Sequence, residues 1–402
     1  MVLRPVALRA SSRVPLEVQE HILEFIDEQC LAYRATLVCR AWYPIAVKLL
    51  YQELDFSHTH YTARLMRAML RFPRVKEQLK ATRRAEFYKS SFFSSFPQVF
   101  AAALPSLRSL HIVGLTDPLH PSFVRALFHF KTVTHLRLSA LWLDNFHQLR
   151  RVIFALPALV SLDIGNINFG RNGRLLVDDP LKLLPPDILP MSIPTPTRLQ
   201  TLLIDLSISG GHPKKEVALV RWLNCTSLCQ SLSSLDLTLF KFNVITKASS
   251  DATEVVRQLD RLLMIAGPSL QKLSLPVSLP IDKLNLSYNL GLTYLSFTLP
   301  PALGWQYFVD QLHSALDLVP SLCLTDIHIN AVVLTVRQSQ SMPEAILALD
   351  SLHESMNSAT FADIANAHLR IIRMPFSLRS TELEAPLDVI LAPWAERGVI
   401  RW

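Results

Sequence analysis

Glycine is scarce, with 10 residues in a chain of 402, whereas proline occurs 26 times. Glycine allows a backbone to approach a phosphate closely, so its scarcity weighs against dinucleotide-binding and P-loop folds. Frequent proline suits a chain with many loops and element ends. Cysteine is also sparse: Cys30, Cys39, Cys225, Cys229 and Cys323 are odd in number and scattered. They form no disulfide framework and no paired ligand spacing, although Cys225 and Cys229, four apart, would share a face of one helix. A reducing compartment, cytoplasm or nucleus, is expected. No apolar run approaches the roughly 18 residues of a membrane span, so no membrane association is expected. Acids are missing from the first 16 residues, which carry Arg4, Arg9 and Arg13, but the stretch is short for a transit peptide. The run 165–173, GNINFGRNG, lacks the Lys-Ser/Thr pair of a phosphate loop and reads as a turn. No His-Glu-x-x-His helix or Gly-x-Ser-x-Gly elbow occurs. The sequence therefore nominates no catalytic residue, metal ligand or cofactor, and a non-enzymatic role is expected.

Half of the residues are hydrophobic, enough for a substantial core. The net charge of +7 is local: residues 64–89 hold nine bases and two acids, and the remainder balances. Arg64, Arg67, Arg71 and Arg74 recur at helical spacing opposite Leu65, Met69 and Phe72, with Pro73 ending or kinking the helix. The spacing predicts a solvated helical linker. Phe72, Phe87 and Tyr88 are too sparse for aromatic interleaving and no base-reading motif is present, so nucleic acid is not an expected partner.

Residues 14–54 predict about three short helices. Val18, Ile22 and Ile26 form one stripe, and Leu31, Ala35, Val38 and Trp42 a second. Pro15 suits a helix start, and Pro44 must break or restart a helix. So small a bundle is marginal alone and gains by burying an apolar face elsewhere. The opening Val14-Pro15-Leu16-Glu17, the Leu37-Val38-Cys39-Arg40 run with Trp42, and the closing Leu50-Tyr51 resemble an F-box. That resemblance implies docking on the adaptor of a cullin-based (SCF-type) ubiquitin ligase. It assigns adaptor binding to Pro15, Leu16, Val18, Ile22, Leu37, Val38, Cys39 and Trp42.

Beyond residue 100 a unit L-x-x-L-x-Φ, with Φ apolar, recurs: LPSLRSLHI (104–112), FKTVTHLRL (130–138), LPALVSLDI (156–164), and further copies down to LRIIRM (369–374). The first anchors, Leu107, Val133 and Leu159, are 26 residues apart, within the leucine-rich-repeat range. Later spacings vary, and the Asn or Cys that such repeats carry three residues after Φ is absent, so irregular turns are expected. Long insertions are expected at 174–197, 243–256 and 336–347. Residues 386–402 read as a helix and a short strand that cap an open edge. F-box proteins with degenerate repeats of this kind form large families in fungi, and the chain resembles that type.

The expected fold class is α/β: a short N-terminal α-helical bundle followed by an irregular leucine-rich-repeat-like α/β solenoid. Its parts are a tail (1–13), the F-box-like module (14–54), a basic helical linker (55–95) and the repeat domain (96–402). The expected function is substrate recognition within an SCF-type ligase, with the adaptor, through it cullin, and an unidentified target protein as partners. The rival expectation is a scaffold whose N-terminal bundle merely caps the solenoid. In a strand, the residue between two buried anchors points away from the core. His111, Arg137, Asp163, Leu203, Asp236, Ser274, Ser296, His328 and Arg373 form such a row. The six charged or titratable members, His111, Arg137, Asp163, Asp236, His328 and Arg373, are the expected target contacts. His111 and His328 would make capture pH-sensitive.

Overall fold

The computed structural model describes residues 15–26, 28–57, 59–88, 96–114, 119, 121–143, 145–169, 198–205, 213–238, 250–275, 284–302, 305–333, 346–373 and 387–401. The chain divides into two compact units, Met1–Arg137 with Arg151–Ala158, and Leu138–Arg150 with Leu159–Trp402.

The first unit opens with α1 (Leu16–Glu24), α2 (Gln29–Thr36) and α3 (Tyr43–Leu50). Pro15 precedes the first helix and Pro44 sits in the first turn of the third, positions where the absent N–H costs little. Strand β1 (Glu53–Asp55) follows, then α4 (Thr59–Arg71), α5 (Pro73–Leu79), β2 (Arg84–Tyr88), α6 (Phe96–Phe100), β3 (Ser109–Val113), α7 (Pro121–Leu127) and β4 (His135–Ser139). Strands β1, β2 and β3 pair in parallel, and β4 lies beside β3. The expected linker 55–95 is thus only partly helical. Pro73 separates two helices, and 84–88 is a sheet strand with Ala85 and Phe87 buried. The sheet therefore starts at Glu53, well before residue 96. Phe56, Phe87, Phe96, Phe100 and Phe130 pack under it, with Phe56 and Phe87 stacked at 4.6 Å and Phe87 edge-on to Phe96 at 4.2 Å. Each such ring pair adds about 0.5–1.5 kcal/mol beyond its area burial.

The second unit contains β5 (Trp142–Leu143), the first part of α8 (Phe146–Phe154), and then β6 (Ser161–Gly165), β7 (Asn168–Phe169), β8 (Thr201–Asp205), α9 (Pro213–Asn224), β9 (Ser234–Thr238), α10 (Ser250–Ala266), β10 (Lys272–Leu275), β11 (Tyr294–Ala302), α11 (Trp305–Asp317), β12 (Asp326–Val333), α12 (Ile346–Met356), β13 (Asn366–Arg373) and β14 (Ile400–Arg401). The strand order is β6-β8-β9-β10-β11-β12-β13-β14, parallel at every step. Parallel neighbours need a crossover, and α9, α10, α11 and α12 supply it between β8 and β9, β9 and β10, β11 and β12, and β12 and β13. The architecture is mixed α/β with an extensive parallel sheet, compatible with a solenoid-like fold. Residues 250–256, expected within an insertion, instead begin α10, which buries Val255, Val256, Leu259, Leu262 and Leu263 at helical spacing. The insertion 174–197 lies outside the described residues.

Two backbone devices repeat along the chain. In most turns before a strand, one carbonyl accepts two successive N–H groups of the next repeat: Arg83 O from Arg108 and Ser109, Gln200 O from Ser233 and Ser234, Thr293 O from Thr325 and Asp326. Beside it a hydroxyl donates to the carbonyl of the preceding repeat's first anchor. Thr132 reaches Leu107 O at 2.8 Å, Ser231 reaches Leu199 O at 3.2 Å, Ser269 reaches Leu232 O at 3.0 Å and Ser321 reaches Leu292 O at 2.8 Å. This hydroxyl ladder satisfies the turn carbonyls that Asn or Cys would otherwise serve. Gly291 replaces the hydroxyl in the β11 repeat, because a Cβ there would lie 2.4 Å from Pro268 O. Nearby, the buried Asn289 donates to Leu263 O at 3.0 Å and Gly267 O at 2.9 Å. At the last rung, Arg397 reaches Phe361 O and Ala362 O at 2.9 and 2.6 Å, and Trp394 is fully buried. The equal spacing of 26 also has a backbone signature: Gly114, Ala140 and Asn166 all have positive φ (74°, 53° and 48°). Asn suits that conformation better than Ala, and Gly best of all.

Candidate functional surfaces

In the N-terminal helices the core is Leu23, Ala35 and Ala46, against which Ile26, Trp42, Ile45 and Leu49 pack. Leu23 and the buried Gln19, one turn apart, define the inward face of α1. Val18 and Ile22 lie about 100° around the helix and are 46 % and 48 % exposed, so the expected stripe Val18–Ile22–Ile26 does not face inward as a whole. The second stripe also breaks. The helix ends at Thr36, so helical spacing does not carry through to residue 42. Ala35 and Trp42 pack in the core while Leu31 and Val38 stay exposed. Of the expected adaptor-binding residues, Pro15, Val18, Ile22, Leu37 and Val38 are exposed, Cys39 is half-buried and Trp42 belongs to the bundle's own core. The side chain of Leu16 lies outside the described residues. Phe25, at 71 % exposed, Tyr33 and Tyr43 extend the apolar surface, and no periodicity picks them out because they flank helix ends or sit opposite the core. A surface of this kind on so small a module needs a cover.

On the sheet, register fixes the outward row. In the first unit Asp55, Glu86 and His111 are neighbours across β1, β2 and β3. Arg137 is exposed on β4. In the second, the row runs Asp163, Leu203, Asp236, Ser274, Ser296, His328 and His368, with Ser296 buried. Arg373 is not in it. The last repeat is anchored on Ile364, Ala367 and Leu369, all buried, not on LRIIRM, so His368 holds the outward position and Arg373 pairs with Val333 further along. Asp55, Glu86 and His368 are members that the leucine pattern does not reveal, since their repeats lack the leucines.

His111 sits in a polar cluster. Arg84 donates to its Nδ1 at 3.4 Å, its Nε2 lies 3.0 Å from Ser109 Oγ, and Glu86 approaches to 3.9 Å. An accepting Nδ1 makes Nε2 the protonated nitrogen, which then donates to the serine. Burial, then the positive charges of Arg84 and Arg137, lower its pKa to about 4. A pKa so lowered keeps the ring neutral near pH 7. His328 is lowered too, by burial and by His368, with Asp326 opposing. The His328 and His368 rings stack at 4.4 Å, and Tyr294 adds a third ring 4.8 Å from His328. Beside them Asp326 accepts from Thr325 and Asn366, bonds that hold its carboxyl below the ordinary range. Burial raises the Asp236 carboxyl, partly offset by a hydrogen bond from Ser274.

Among the described residues no group of three or more His, Cys, Asp or Glu is placed to hold a metal ion. Cys225 follows the end of α9 and is exposed, whereas Cys229 lies in a separate 3-10 turn, buried, its thiol pushed up to about 12. The two do not share a helical face. No described helix is long and apolar enough to cross a membrane.

No protein-family model matches the chain, and no curated protein matches it. Among solved structures it is similar to a chain of the yeast Rad7 and Elc1 complex, at 15 % identity and a TM-score of 0.38, covering 84 % of this chain and 79 % of that one. At that TM-score the likeness carries no functional weight.

Proposed function

We propose that this chain is a substrate-recognition subunit of an SCF-type ubiquitin ligase, with the N-terminal helices docking on the adaptor and the outward row of the sheet receiving the target. The observation that supports this most is the division of labour in the N-terminal module. Its core is made by Leu23, Ala35 and Ala46, while the F-box-like residues Pro15, Val18, Ile22, Leu37 and Val38 remain exposed. Apolar side chains left outward on a marginal bundle gain stability from a partner that covers them. In this reading the chain supplies no reactive group. Its contribution is proximity, holding a target near a transfer centre on other subunits.

The test is capture of purified adaptor by the full chain and by a Pro15→Ala/Leu16→Ala double variant. Loss of capture, with the far-ultraviolet spectrum retained, is expected, because a small apolar patch concentrates binding energy in few residues. Wild-type capture by the variant would leave the scaffold alternative standing. On the target side, Asp163→Lys with Asp236→Lys should weaken recovery of cellular targets while adaptor capture is unchanged. Unaltered target recovery would shift the target site off the row.

A further inference from the structure

The basic residues of α4 and α5 form a ridge that the linker expectation leaves idle. Arg64, Arg67 and Arg71 fall on one face of α4, opposite the half-buried Leu65 and Met69 and the buried Thr62. All three are exposed and make no ion pair among the described residues; Arg67 donates only to Ala63 O in its own helix. The single acid of this stretch, Glu77, is taken by Lys80 at 2.7 Å. Three unneutralised guanidinium groups within about two helical turns repel one another, an arrangement that an anionic partner relieves.

Two features say what kind of anion fits. Leu70 (77 % exposed) and Phe72 (58 %) stand among the arginines, an apolar content that suits a protein surface better than a phosphate backbone. A bilayer fits poorly, since the continuous apolar face of α4 is turned into the protein. The ridge also adjoins the module of the preceding subsection: Arg74 at the start of α5 lies over the ring of Tyr43, 5.2 Å from its centroid, and Tyr43 opens α3 five residues after the exposed Val38.

We infer that Arg64, Arg67, Arg71 and Arg74 form a basic extension of the N-terminal docking surface, which receives an acidic segment of the same protein that covers Val18, Ile22, Leu37 and Val38. This rests on the adaptor assignment proposed above. The segment carries carboxylates spaced to meet arginines one helical turn apart, with apolar side chains between them to meet Leu70 and Phe72. The ridge steers the encounter and fixes its orientation, while the apolar patch holds the complex.

The experiment measures association and dissociation of the full chain with purified adaptor at several salt concentrations. The variants are Arg64→Glu/Arg67→Glu/Arg71→Glu and the milder Arg64→Gln/Arg67→Gln/Arg71→Gln, with duplex DNA as a second probe. In the reversal variant the association rate at low salt should drop about tenfold or more and its salt dependence should flatten, with dissociation changing little. The glutamine variant should fall between, which excludes misfolding as the cause. Rates and salt dependence equal to wild type would overturn the inference and leave the adaptor assignment intact. Absence of wild-type capture would overturn both. Wild-type retention on duplex DNA at physiological salt, lost in the reversal variant without any change in adaptor kinetics, would assign the ridge to nucleic acid instead.

Discussion

Removing one rung of the hydroxyl ladder should cost far more than the size of a serine suggests. Ser321 is fully buried. Its hydroxyl lies 3.0 Å from Leu290 O and 2.8 Å from Leu292 O, and its oxygen receives the Cys323 N–H at 3.3 Å. Ser321→Ala removes the donor and leaves that amide without its side-chain acceptor. A buried polar group left unpaired costs roughly 1–3 kcal/mol, while the deletion opens little volume. Taking about 2 kcal/mol, local opening should become about 30-fold more frequent. The reporters are the Thr325 and Asp326 amides, which share Thr293 O at the head of β12. Native-state hydrogen exchange should show both exchanging faster, with amides of β1 to β3 unaffected. Leu322→Ala, at a side chain 62 % exposed one residue away, is the control and should stay within about 0.5 kcal/mol of wild type. Exchange in Ser321→Ala within twofold of wild type would refute the claim that these hydroxyls hold the turns.

Gly291→Ala should destabilise by about 1–3 kcal/mol, since its Cβ meets Pro268 O at 2.4 Å and backbone must move; urea unfolding checks it, and a neutral effect would show the turn to be loose. His111→Gln should remove an acid-side loss. The folded pKa near 4 lies below the ordinary 6.5, so the unfolded chain binds the extra proton and wild-type stability falls as pH drops from about 6.5 to about 4. Parallel pH titrations of wild type and variant test this, and parallel curves would count against it. Asp236→Asn should stabilise at neutral pH, because the raised carboxyl pKa means ionisation is disfavoured in the folded state. That gain should vanish as pH falls below the ordinary carboxylate value of roughly 4, and a thermal-melting series across that range would read it.

The parallel sheet was legible in the sequence wherever leucine or isoleucine supplied both anchors, because a period of two with a fixed lead residue leaves little choice of face. It was obscured where chemistry substituted for leucine. The β2 repeat is anchored by Thr82, Ala85 and Phe87, and the β13 repeat by Ile364, Ala367 and Leu369; small or aromatic residues fill the same space without the same letter. One misplaced anchor displaced the outward residue from His368 to Arg373. Helix α10 was hidden because its first turn, SDAT, is polar, as suits a helix start, and reads equally as loop. The N-terminal surface was half legible. Three-helix periodicity is visible, but helices of eight or nine residues offer two adjacent apolar stripes each, and only packing decides which turns inward. The neutrality of His111 could not be read at all, since Arg84 and Arg137 arrive from separate strands.

Each rung of the ladder joins one turn to the turn before it and involves nothing beyond the strand that follows. Anchors Leu199, Leu232, Leu270, Leu292 and Leu324 are unevenly spaced, yet the strands they introduce stay in register. Repeat length can change without shifting strand register, and a protein built this way can lengthen or shorten between strands, residue by residue, without renegotiating its core.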